Sequence, residues 1–107
     1  MIHITYHRNH YRITAKGHAQ SGEVGHDLVC ASVSALVLTA AANVATLATN
    51  GTARSPVLKI QEGDAEIACS PVHKMKSVVM LIFDTVCTGF ELLQTYYPEN
   101  ISYEVLG

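Results

Sequence analysis

From Leu28 to Ala53 the chain carries no charged residue, and this stretch constrains the fold more than any other. It is long enough on paper to cross a bilayer. Yet it contains Ser32, Ser34, Thr39, Asn43, Thr46 and Thr49, is rich in alanine, and has no Lys/Arg cluster or aromatic belt at its ends. Such small side chains suit a helix packed closely on a sheet or on its twin, and no membrane span is expected. Asp27 precedes the run as a helix N-cap, so a helix is predicted from about Leu28 to Leu47, ending near Asn50-Gly51. Apolar nearly all round, it should be the central, most buried helix.

The rest of the chain supplies a sheet for it. Ile2, Ile4 and Tyr6 alternate with His3, Thr5 and His7, and Tyr11, Ile13 and Ala15 alternate with Arg12, Thr14 and Lys16. This period of two, with Arg8-Asn9-His10 as the turn, predicts a hairpin over residues 2–16. Its other face gathers His3, His7, Arg12 and Lys16, which read as a solvated sheet face rather than a docking surface. Pro56 opens a second β region in which Leu58 and Ile60 alternate with Lys59 and Gln61. Glu62-Gly63-Asp64 makes its turn, and Ala65, Ile67 and Cys69 form the inner face of the return strand. Ser70-Pro71 reads as an N-cap followed by proline at the first helical position. Met75, Val78, Val79, Ile82, Val86, Phe90, Leu93 and Tyr97 then follow helical spacing up to Pro98, and Ile101, Tyr103 and Val105 alternate as a last strand. The order ββαββαβ, without repeats or linkers, predicts one α+β domain over residues 1–107. It has two layers, a mixed or antiparallel sheet and two helices packed on one face.

Composition narrows the function. In 107 residues, 15% are charged against 49% hydrophobic, and the net charge is −2. Nothing in that balance attracts phosphate backbones, so direct nucleic-acid binding is not expected. The shortage of surface charge on a small body suggests that another copy covers some apolar surface. Three cysteines, Cys30, Cys69 and Cys87, make no even disulfide framework, and the N-terminal residues lack the basic and apolar regions of a signal peptide. The reading is a reducing cytoplasm with free thiols. No C-x-x-C or H-x-x-x-H pair occurs, and neither a metal nor another cofactor is expected.

Among the thiols, Cys30 stands apart. Counted from an Asp27 cap it is the third helical residue, where unpaired amides and the positive end of the helix dipole favour an anion. Asp27 opposes that ionisation, so a positive partner is needed, and His18 or His26 is available from the loop punctuated by Gly17, Gly22 and Gly25. From these residues alone two readings stay open. One is a catalytic Cys–His pair, and the other is a buried cysteine acting as a small hydrophobe with surface histidines nearby. Cys69 and Cys87 read as structural.

Gly17-His18-Ala19, then Gly22, Gly25, and Asp27-Leu28-Val29-Cys30-Ala31 with Ser34, resemble the signature of the ribosomal-processing cysteine protease (Prp) family. The resemblance covers the whole length in element order, and its specific part is the run from Gly17 to Ser34. It implies a small cytoplasmic thiol protease that removes the short N-terminal extension of the large-subunit ribosomal protein L-twenty-seven, cutting after an aromatic residue. It implies His18 as general base and acid, Cys30 as nucleophile, the glycine loop as a lid that orders around the peptide, Ser34 near the dyad, and a homodimer. Asp27 has two candidate roles. As N-cap it would hold the turn of the nucleophile, and as a third catalytic member it would orient His18; its position alone satisfies the first. The rival readings are a non-enzymatic ribosome-assembly factor that binds the same protein partner, and a thiol enzyme of other purpose.

Overall fold

The computed structural model describes residues 1–18 and 26–107, with backbone alone at positions 26 and 27. Strands β1 (Ile2–His7), β2 (Arg12–Lys16), β3 (Ala53–Gln61), β4 (Asp64–Pro71) and β5 (Ile101–Leu106) and helices α1 (His26–Thr49) and α2 (Lys76–Tyr96) follow the predicted order. The sheet runs β3-β4-β2-β1-β5, antiparallel except for the parallel β1–β5 pair. It is a mixed five-stranded sheet with both helices against one face, an α+β fold.

Register explains which face is covered. Ile4 lies opposite Ala15 and Tyr6 opposite Ile13, while Ile13 lies opposite Ile67 and Ala15 opposite Ala65. Directly opposed residues share a face, so these side chains make one apolar surface. Val29, Val33, Val37, Ala40, Ala41, Val44 and Leu47 of α1, and Val79, Phe83, Val86, Cys87 and Phe90 of α2, bury against it in one core. On the other face, Arg12 pairs with Glu66 and Lys16 with Asp64, as on a solvated sheet face.

Several local expectations give way. Helix α1 is not buried all round: Leu28 and Leu38 are more than half exposed. Ser32, Thr39, Thr46 and Thr49 donate to carbonyls one turn back, which satisfies their hydroxyls inside the helix. The helix also starts two residues before Leu28. A carboxylate in a first turn is favoured by the dipole much as a cap is, so the sequence does not separate the two positions for Asp27. The helix ends as Asn50-Gly51 implies. Gly51 takes φ +80°, its N–H donates to the Ala48 carbonyl, and the Thr52 N–H donates to that of Leu47.

Tyr11 is not a strand residue. It closes a short 3-10 turn (Arg8–His10) at φ +49°, and β2 starts after it. Strand β3 begins at Ala53 and not at Pro56, which falls instead in the irregularity between Arg54 and Val57 on this edge strand. Asp64 belongs to β4, leaving Glu62-Gly63 as the turn. Ser70 and Pro71 extend β4, opposite Arg54 and Ala53, and do not cap α2. Pairing with β3 overrides the local helix-start signal. A 3-10 turn (His73–Met75) leads into α2, whose N-terminus has no side-chain cap.

Candidate active site

The N-terminal half of α1 and the turn of the β3–β4 hairpin meet the end of β2 around a cavity of about 320 Å³. Helix α1 contributes Cys30, Val33, Ser34, Val37 and Leu38. The end of the first hairpin contributes Ile2, Ala15, Gly17 and His18, and residues 60–65 close the opposite wall. Most of this lining is apolar, with one thiol, one imidazole, the Ser34 hydroxyl and the acidic pair Glu62 and Asp64 among it. Cys30 is free and partly buried on the edge of the core, where a thiol stays reachable. Cys69 and Cys87 are free but buried. Burial pushes the Cys87 thiol up to about 12 and raises that of Cys69, which keeps both protonated and inert at neutral pH.

The sequence-predicted residues divide as follows. Gly17, His18, Cys30 and Ser34 come together on the cavity. Gly22 and Gly25, and with them most of the expected lid, lie outside the described residues. So do the side chains of His26 and Asp27, although the backbone of both is helical. The earlier start of α1 makes Cys30 its fifth residue and not its third, so its own N–H lies beyond the unpaired first-turn set. Amides preceding Cys30 are then the ones left to meet an anion.

His18 is held from two directions. The N–H of Gly17, at φ +106°, donates to the Gly63 carbonyl at 2.9 Å, and the Met1 amino group donates to the His18 carbonyl at 3.0 Å. Lys16 and Lys59 both reach the Asp64 carboxylate, at 2.7 and 2.6 Å. Their hydrogen bonds hold that carboxyl below its ordinary value and tie β2 and β3 to the base of the turn. Sequence reasoning identified residues 62–64 only as a turn. Their place in the site depends on a tertiary approach between β2 and the second hairpin that no local pattern announces. Among the described residues no group of three or more His, Cys, Asp or Glu could hold a metal ion.

A reachable thiol and an imidazole on one apolar cleft are the reagents of nucleophilic acyl transfer, the layout of a cysteine hydrolase. The comparisons with known proteins make this particular. The family described as cysteine protease Prp matches residues 1–102, and this chain belongs to it. Over 85 residues the chain is 28% identical to the ribosomal processing cysteine protease Prp of Staphylococcus aureus, spanning 79% of this chain and 76% of that relative. The crystal structure of the S. aureus protease with a substrate peptide matches with a TM-score of 0.69 and 25% identity, covering 98% of this chain and 97% of that one. The same protease with a covalently linked product peptide matches at 0.68 and 26% identity, again over 98% and 97%. A Streptococcus mutans protein gives 0.68 and 26%, over 98% and 91%. The protein is therefore a cysteine protease, and a non-enzymatic binding factor is set aside.

Proposed function

We propose that this protease, acting as one domain, removes the short N-terminal extension of a large-subunit ribosomal protein of the L-twenty-seven type, with Cys30 as nucleophile and His18 as general base and acid. The observation that carries the assignment of residues is the shared cavity: Cys30 and His18 both line it, with Gly17 and Ser34 beside them. Its apolar walls suit an apolar peptide whose reacting carbonyl rests at the thiol. His18 accepts the thiol proton as Sγ bonds to the scissile carbonyl carbon. Amides at the start of α1 meet the negative oxygen of the tetrahedral intermediate. The C–N bond then breaks, and His18 gives its proton to the leaving amine. Water attacks the remaining thioester with His18 again as base, which returns the free thiol.

The site of action is the cytoplasm, where the ribosomal substrate is made, and a second copy of the chain covers exposed apolar surface to form a homodimer. Among the described residues two helices, Leu28–Thr49 and His73–Tyr96, are apolar and long enough to span a bilayer. Their burial against the sheet supports a core role for both. The test is cleavage of a peptide that copies the extension and the first mature residues. Cys30→Ala and His18→Ala are expected to abolish cleavage with melting temperature unchanged. Turnover retained by either variant removes that residue from the mechanism.

A further inference from the structure

The turn of the β3–β4 hairpin makes a contact with His18 that the reaction scheme above does not use. Gly63 occupies φ +70°, and a Cβ built there would overlap the His18 imidazole at Nε2 and Cε1. The same residue accepts the hydrogen bond from the Gly17 N–H, so one peptide unit fixes the backbone before His18 and its α-carbon supports the ring. Strand ladders on both sides make this support rigid. Lys16 lies opposite Asp64 in the β2–β4 register, and Gln61 lies opposite Asp64 across the turn.

We propose that Gly63 is a positioning residue for the catalytic imidazole: the bare α-carbon of the turn is the surface against which His18 is set for proton transfer with Cys30. The proposal rests on the reading of His18 as general base. What a side chain at 63 would displace is the end of an exposed side chain, which swings aside at little cost to the fold. Substitution therefore separates activity from stability. A catalytic group moved by about 1 Å loses up to two orders of magnitude in rate.

A matched control exists in the same chain. Gly51 has a similar φ of +80°, but a Cβ there meets nothing within 4 Å. Gly51→Ala thus carries the backbone strain of alanine at positive φ without any contact, and lies outside the cavity. The experiment compares Gly63→Ala, Gly51→Ala and His18→Ala in cleavage of the extension peptide. A Gly63→Asn variant accompanies them, since asparagine tolerates positive φ better than alanine.

Gly63→Ala and Gly63→Asn are expected to lower kcat at least tenfold with KM within twofold. Their melting temperatures should fall no further than that of Gly51→Ala, which keeps full activity. The pH–rate profile of both Gly63 variants should also shift relative to the parent, because an imidazole off its support exchanges its proton with the thiol differently; a merely structural turn would leave that profile in place. Parent-like kcat and pH profile in both Gly63 variants, with His18→Ala inactive, overturns the positioning role and leaves the dyad standing. An active His18→Ala variant overturns both.

Discussion

Removing the Asp84 carboxylate tests the packing logic far from the cleft. Tyr6 is 2% exposed, and its hydroxyl donates to Asp84 Oδ1 at 2.7 Å. Arg8 donates to both carboxylate oxygens, at 3.0 and 2.9 Å. That ion pair is partly open to water and adds little by itself. The energy lies in the tyrosine, because Asp84→Ala leaves a buried phenol without its acceptor. This costs about 1–3 kcal/mol, against roughly 5–15 kcal/mol for the whole of such a domain. At roughly 4–8 °C per kcal/mol for this size, the melting temperature falls by on the order of 10 °C. Urea titration of the parent, Asp84→Ala, Tyr6→Phe and the double variant measures it. Tyr6→Phe removes the donor as well, so the double variant should regain part of what Asp84→Ala loses. None of Tyr6, Arg8 and Asp84 lines the cleft, so peptide cleavage per folded molecule should not change. A loss below about 0.5 kcal/mol, or strictly additive variants, would refute the argument, since coupling through a shared bond is non-additive.

Further expectations concern pH, labelling and the cleft. The Arg8 bonds hold the Asp84 carboxyl below its ordinary 3.8, so the unfolded chain takes up the proton first. That stabilisation is complete above the ordinary value and is lost as pH falls through the lower folded one, which acid unfolding of Asp84→Asn against the parent should reveal. The Cys87 thiol is raised from 9.0 to about 12 by burial, so its contribution is complete below pH 9 and is lost as pH rises toward 12. Alkaline unfolding curves of Cys87→Ala and the parent should converge there. Iodoacetamide at neutral pH should alkylate Cys30 well before Cys69 or Cys87, as read by peptide mass spectrometry, and equal slow labelling would contradict an activated thiol. Asp27→Asn should cleave within a few-fold of the parent, whereas a large loss without a change in melting temperature would move Asp27 into the catalytic set. Ile60→Lys, at a half-exposed position on the cleft wall, should raise KM for an apolar peptide several-fold with little effect on thermal stability.

The fold was legible because its strands alternate cleanly. Ile2-Ile4-Tyr6 and Ala65-Ile67-Cys69 each state a face, and register between neighbours turns those faces into one surface. Where reading failed, a tertiary partner outweighed a local preference. Ser70-Pro71 carries a helix-start pattern, yet β3 offers backbone partners through residue 71. Tyr11 continues an alternation, but its φ of +49° turns the chain. In the cleft, the Gly17–Ser34 run pointed to Cys30 and His18 through its family resemblance, since their positions alone left a structural cysteine open, and both residues line the cavity. Gly63 and Ile60 were not legible as cleft residues, since they arrive from the second hairpin. The Tyr6–Asp84 bond escaped for the same reason, as it joins the first strand to the second helix.

The pairing of Ile2 with Ile101 has a consequence for how the molecule comes into being. Strands β1 and β5 are parted in sequence by every other element of the fold, and contacts so distant are established late. Both hairpins and their intervening helix can assemble while synthesis is still under way. Phe90 and Tyr103, whose rings lie 6.2 Å apart, gain one another only after β5 has emerged. Maturation of the enzyme is thereby tied to the arrival of β5 beside β1.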